Sequence, residues 1–162
     1  MKSNHKWFIV KVRYTKQHED GSFKRVTEPY LLSAYTFTDG EARIYEELGS
    51  VIKGEFDVTS MTVTDVHDIF LYEDADVWYK IGIKFESQDE NTEKTKVVKN
   101  TMYLTAASVK QAAERIKECL STSMRDFKID SVIESPIVEV FTPVAETLLS
   151  EEEQSLLEEL DY

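Results

Sequence analysis

The octet Trp7-Phe8-Ile9-Val10-Lys11-Val12-Arg13-Tyr14 returns 71 residues later as Trp78-Tyr79-Lys80-Ile81-Gly82-Ile83-Lys84-Phe85. A pattern written twice at one offset restricts a chain to folds assembled from two copies of one unit. The match continues downstream. PYLLSA at 29–34 resembles MYLTAA at 102–107, and Arg43-Ile44-Tyr45-Glu46-Glu47-Leu48 resembles Arg115-Ile116-Lys117-Glu118-Cys119-Leu120. Phe56-Asp57-Val58 pairs with Phe127-Lys128-Ile129, and Ile69-Phe70 with Val140-Phe141. Their order is kept and the offset drifts by only one or two residues, which marks an internal duplication with repeats at about 7–71 and 78–141.

Within each octet, apolar residues alternate with polar or aromatic ones, the period-2 signature of a strand with one buried face. Asp20-Gly21 and the polar stretch 88–93 read as turns that return the chain into second strands over about 24–34 and 96–106. Thr38 with Glu41, and Ser108 with Gln111, fit capping boxes that open a helix in each repeat. Ile44, Leu48 and Val51 form the apolar stripe of the first helix, and Ala112, Ile116 and Leu120 that of the second. A third strand follows from Phe56 or Phe127, broken near Thr64 and Pro136. The expected class is α+β: two pseudo-symmetric β-β-α-β(β) repeats forming antiparallel sheet with one helix per repeat. Halves of about 70 residues more readily share a core than fold alone. A single compact domain over 1–145 is therefore expected, followed by an acidic tail or helix at 146–162.

Several functional classes find no support in the residues. No apolar run approaches the ~20 residues of a membrane-spanning helix, and MKSNHKWF lacks the apolar stretch of a signal peptide. The single cysteine, Cys119, has no disulfide partner and reads as a small core residue in a reducing cytoplasm. There is no phosphate-binding glycine loop, G-x-S-x-G, H-E-x-x-H or cysteine pair. His67 lies close to Asp65 and Asp68, but the second repeat has no counterpart, and a polar bend accounts for the cluster. No catalytic residue, metal or cofactor is assigned, and a non-enzyme is expected.

Burial explains the apolar half of each octet and leaves the other half open. The opposite face carries Trp7, Lys11 and Arg13 in one repeat and Trp78, Lys80 and Lys84 in the other. The returning strands add Lys24, Arg25 and Tyr30, matched by Lys96, Lys99 and Tyr103. Rings interleaved with cations suit a single-stranded nucleic-acid platform, where bases stack at ~1–3 kcal/mol each and cations track phosphates. The alternative is that both tryptophans pack at the junction of the halves and the lysines are ordinary solvated residues.

The formal charge of −12 opposes phosphate binding, but the acids are unevenly placed. Residues 146–162 hold seven acids and no Lys or Arg, and without them the charge is −5. Glu151, Glu152, Glu153, Leu156, Leu157, Glu158, Glu159, Leu160, Asp161 and Tyr162 form a candidate partner-binding segment, one that would recruit replication or repair proteins or compete with nucleic acid for the cations. It resembles the acidic tips of single-stranded-DNA-binding proteins. Ser150 with Glu153 also fits a capping box, and Leu149, Leu156, Leu157 and Leu160 could line one face of a docked helix.

The run from Trp7 to Tyr14 through Val26-Thr27-Glu28-Pro29-Tyr30-Leu31 to Glu41-Ala42-Arg43-Ile44 resembles a domain-of-unknown-function family of Bacteroidetes bacteria and their crAss-like phages, over residues 7 to about 141. That resemblance implies a phage or bacterial origin and a place in the bacterial host cytoplasm, and it implies no mechanism. The expected function is sequence-nonspecific single-stranded DNA binding in replication or recombination. RNA, and a homodimer paired through a sheet edge, stay open. So do two other classes: an acidic protein-interaction module or DNA-mimic inhibitor of a host enzyme, and a phage structural or assembly component.

Overall fold

Alternation over the two octets becomes strand pairing in the computed structural model, which describes residues 5–88, 91 and 94–143. The segment 146–162, with its expected tail or helix, lies outside the described residues. The first octet falls in β1 (Lys6–Gln17), which pairs antiparallel with β2 (Phe23–Ala34) from Lys6↔Ala34 to Gln17↔Phe23. Gly21 at the intervening turn has φ +85, a left-handed conformation that a side chain would strain. Helix α1 (Phe37–Gly49), strand β3 (Phe56–Thr64) and the short β4 (Asp68–Phe70) follow. The second octet repeats the plan with β5 (Val77–Gln88), β6 (Thr95–Ala106), α2 (Val109–Cys119), β7 (Phe127–Ser135) and β8 (Val140–Phe141).

The break near Thr64 and Pro136 has a topological meaning that periodicity does not reveal. The strands form two sheets, in the orders β3-β1-β2-β8 and β4-β6-β5-β7. Each repeat thus ends in a short strand that joins the other repeat's sheet, β4 parallel to β6 and β8 parallel to β2. The chain accordingly divides into two compact units, one running to Thr62 and resuming at Glu139, the other Val63–Val138.

Each unit closes its own core between sheet and helix. In the first, Phe8, Val10, Val12, Leu32 and Ala34 meet Ile44, Leu48 and Ile52. In the second, Tyr79, Ile81, Ile83, Phe85, Met102 and Leu104 meet Ala112, Ile116 and Leu120. Two details differ from expectation in the first helix. Thr36, not Thr38, is the N-cap, its hydroxyl accepting from the Asp39 N–H. Val51 is exposed, because the helix stops at Gly49 and Ile52 turns inward instead. In the second helix Ser108 caps Gln111 as expected, while the Gln111 side chain accepts from the Ala107 N–H at 2.6 Å.

One arginine in each helix ties the layers together at matching positions. Arg43 donates to the Ser33 carbonyl at 2.7 Å and to the carbonyls of Phe141 and Thr142, anchoring β8. Arg115 donates to the Thr105 carbonyl at 2.9 Å and to Asp74 at 2.6 Å, and stacks its guanidinium over Tyr72.

Ile44→Ala and Ile116→Ala should each lower stability by about 2–5 kcal/mol, since both side chains are wholly enclosed. Val51→Ala should change the urea midpoint little. A loss at Val51 equal to that at Ile44 would contradict the end of α1 at Gly49.

Candidate nucleic-acid interface

Strand parity decides which residues share a surface. The face of β1 and β2 away from α1 carries Trp7, Ile9, Lys11, Arg13, Thr15 and Gln17, opposite Ser33, Leu31, Pro29, Thr27, Arg25 and Phe23. On the corresponding face of β5 and β6, Trp78 lies opposite Thr105, Lys80 opposite Tyr103 and Lys84 opposite Lys99. Seven of the twelve sequence-predicted residues are therefore joined as expected within their own units: Trp7, Lys11, Arg13 and Arg25 in the first, and Lys80, Lys84 and Lys99 in the second. Lys11, Arg13, Lys80 and Lys99 are exposed, and no acid among the described residues lies within ion-pair distance of them. Arg25 and Lys84 are partly compensated, by Asp57 at 3.7 Å and Asp130 at 3.1 Å.

The rings behave differently from the cations, and three need correction. Trp78 and Tyr103 lie on the expected face but are buried, 6% and 3% exposed, and offer no free ring to a base. Tyr30 is on the other face altogether. It lies opposite Val10, 3% exposed, within the core beneath α1, stacked on Phe141 and donating to Glu28 at 3.2 Å. Lys24 and Lys96 also point to the helix side, at strand positions beyond the helix, where both are exposed. Trp7 is half-buried, with His5 edge-on at 5.8 Å.

Sequence reasoning missed Phe23. It is 68% exposed at the hairpin end, on the same face as Arg25 and Arg13. Its counterpart at the start of β6 is Thr95, so repeat matching could not find it, although an aromatic beside Lys24-Arg25 was a usable signal.

Charge is segregated by element. Strands β1 and β2 hold Lys6, Lys11, Arg13, Lys16, Lys24 and Arg25 against Glu28 alone, and β5 and β6 hold Lys80, Lys84, Lys96 and Lys99 against Glu86. Glu28 is engaged: Lys16 approaches it at 3.4 Å. Burial, with Glu28 second, pushes the Tyr14 phenol up to about 12, and the same causes raise Tyr30. Both phenols stay neutral and add no negative charge to the hairpin.

The family model whose match spans residues 6–144 now adds a membership. The chain belongs to the DUF4494 family, a domain of unknown function. No curated protein matches it. Among the described residues of this DUF4494 chain, no group of His, Cys, Asp or Glu could hold a metal ion, and no helix is long and apolar enough to cross a membrane.

In a Trp7→Phe chain the remaining Trp78 should emit at short wavelength, resist acrylamide quenching and ignore added oligonucleotide. A red-shifted, readily quenched Trp78 would contradict its burial. The raised Tyr14 value contributes stability that is complete below pH 10 and is lost as pH rises through about 12. Thermal melts across that window should therefore fall less steeply for Tyr14→Phe.

Proposed function

We propose that this protein binds single-stranded nucleic acid, DNA foremost, through the cationic helix-free faces of its hairpins, without sequence preference and without catalysis. The observation that carries this reading is that the helix-free face of β1 and β2 holds Lys11, Arg13 and Arg25 and no acid of those two strands, in a chain of formal charge −12. Solvation alone gives no reason to place the bases on two adjacent strands and the acids elsewhere. A backbone-tracking binder needs that arrangement.

The first hairpin is the better candidate. Lys11, Arg13, Arg25 and Phe23 share one face there, and Trp7 stands half-exposed further along it. From Trp7 to Gln17 that face runs roughly 33 Å, at about 3.3 Å per residue. An exposed ring amid cations favours unpaired bases, because duplex bases are already stacked on each other. With three of the four expected rings withdrawn, charge carries most of the affinity and stacking the lesser share.

The remaining features fit the same reading. The seven acids of 146–162 act as a tethered electrostatic competitor or as a recruiting segment for replication or repair proteins. A phage or bacterial origin and a cytoplasmic location accord with the family resemblance and the unpaired cysteine. The overall acidity favours one rival, a protein-interaction module whose carboxylates carry its function.

Anisotropy titrations with labelled oligo-dT at several salt concentrations separate the two. Lys11→Ala and Arg13→Ala should each lower the log–log salt slope by roughly 0.7 per lost phosphate contact. Phe23→Ala should cost ~1–3 kcal/mol at any sequence, and Trp78→Phe should change nothing. Truncation after Ala145, which takes the formal charge from −12 to −5, should tighten binding most at low salt. If neither full-length nor truncated chain binds oligo-dT at low salt, the nucleic-acid reading fails and the interaction module replaces it.

A further inference from the structure

The helix-free faces of the two units differ at matching positions. In the second unit Lys84 is answered by Asp130 at 3.1 Å and Glu86 by Lys128 at 3.9 Å. Gly82 stands where the first unit has Lys11, and a Cβ there would come within 2.7 Å of the Ser131 hydroxyl oxygen, so a side chain would have to displace it. The first unit replaces Glu86 and Asp130 with Thr15 and Thr59. Lys11 and Arg13 consequently share one strand face with no acid among the described residues in ion-pair reach of either. Thr27 lies opposite Arg13, and the Thr59 hydroxyl donates to the Lys11 carbonyl at 3.3 Å.

The open part of this strip is closed at one end. Past Lys11 and Pro29 the next pair on the face is Ile9 with Leu31, and Leu31 is fully buried; Ser33, two residues further, is 3% exposed. Toward the hairpin turn Thr27, Thr15, Arg25, Gln17 and Phe23 are all exposed. The uncompensated cations thus stand at the closed end. At the other end Asp57 approaches Arg25 at 3.7 Å, and Phe23 offers its ring. From Lys11 to Gln17 the strip measures about 20 Å, at about 3.3 Å per residue.

We propose that this strip takes the end of a single strand, with a terminal phosphomonoester held by Lys11 and Arg13 at the closed end and the bases that follow running out toward Phe23. End recognition rests on the nucleic-acid reading of this face and narrows it to a class of strand. A strand laid along the face cannot continue in line past Leu31, so one that finishes at Lys11 loses no contact, while one that passes must turn off the sheet. A phosphomonoester carries about −1.5 to −2 charge near pH 7 and three acceptor oxygens, more than an internal diester offers. Guanidinium, ammonium and threonine hydroxyl are the donors that phosphate oxygens take. The second unit, with Gly82 in place of Lys11 and Asp130 beside Lys84, lacks the cation pair and binds no end.

Competition anisotropy on the full-length chain at low salt compares oligo-dT strands of one length that are 5′-phosphorylated, 3′-phosphorylated, hydroxyl-ended or covalently circular. A hydroxyl-ended strand one nucleotide longer serves as the charge-matched control. One of the two phosphorylated strands should bind roughly tenfold tighter than this control, which also names the end that is read, and the circle should bind most weakly. Lys11→Ala/Arg13→Ala should erase the preference, and Lys84→Ala/Lys99→Ala should leave it intact. Phe23→Ala should weaken all linear strands alike. Equal affinity for phosphorylated, charge-matched and circular strands overturns end recognition and leaves the nucleic-acid reading standing. A preference that survives Lys11→Ala/Arg13→Ala overturns its placement on this strip, and failure of every strand to bind overturns end recognition as well.

Discussion

A guanidinium at the end of each sheet ties helix, long strand and the chain beside a short strand to one another. Strands β4 and β8 have three and two residues, well below the usual strand length. Arg43 supplies β8 and the residue after it with side-chain bonds to Phe141 and Thr142, and Arg115 secures the connector that follows β4. Both also satisfy the carbonyl one residue before the end of the long strand, at Ser33 and Thr105. A cation as enclosed as Arg115, 9% exposed, survives only because carbonyl, carboxylate and ring replace its water. In each unit this one side chain links the helix to the end of a long strand and to the chain beside a short one.

Much of this architecture was legible because it is written twice. Alternation in the octets located β1 and β5, and the matched Arg-Ile runs located both helices. Error entered where the two copies differ by one residue. Tyr30 and Tyr103 were matched by identity at an offset of 73. Register instead pairs Val10 with Tyr30 and Ile81 with Met102, so the offset in these strands is 72 and Met102 is the counterpart of Tyr30. With a side-chain period of two, that single residue sends one tyrosine to the helix side and the other to the opposite side. Trp78 shows a different limit: alternation reports the face a residue is on, and says nothing of how far that face is open.

The candidate interface shows how little net charge says about local recognition. At physiological salt, charges more than about 8–10 Å apart are largely screened, so Lys11, Arg13 and Arg25 act mainly on what touches their face of β1 and β2. The acids of α1, Asp39, Glu41, Glu46 and Glu47, belong to the layer on the other side of the same sheet. An acidic protein can in this way present a cationic strip. Phe23 and Arg25, on the same strand face two residues apart, give that strip its one combination of open ring and charge.

The placement of β8 has a consequence for chain connectivity. The second unit is spelled in one run, Val63–Val138, with its short strand first, while the first unit takes its short strand last, after the other unit is complete. The two units are circular permutants of one another, differing only in which connection is covalent. His5 and Pro143 line one cavity, and in the second unit a six-residue connector covers the matching span. Pro143 and His5 match Tyr72 and Asp76 of that connector, so a three-residue link between them would close the backbone into a ring of two equivalent arcs. Such a ring could be reopened at either hairpin turn, and the order in which this fold is read would become a matter of convention.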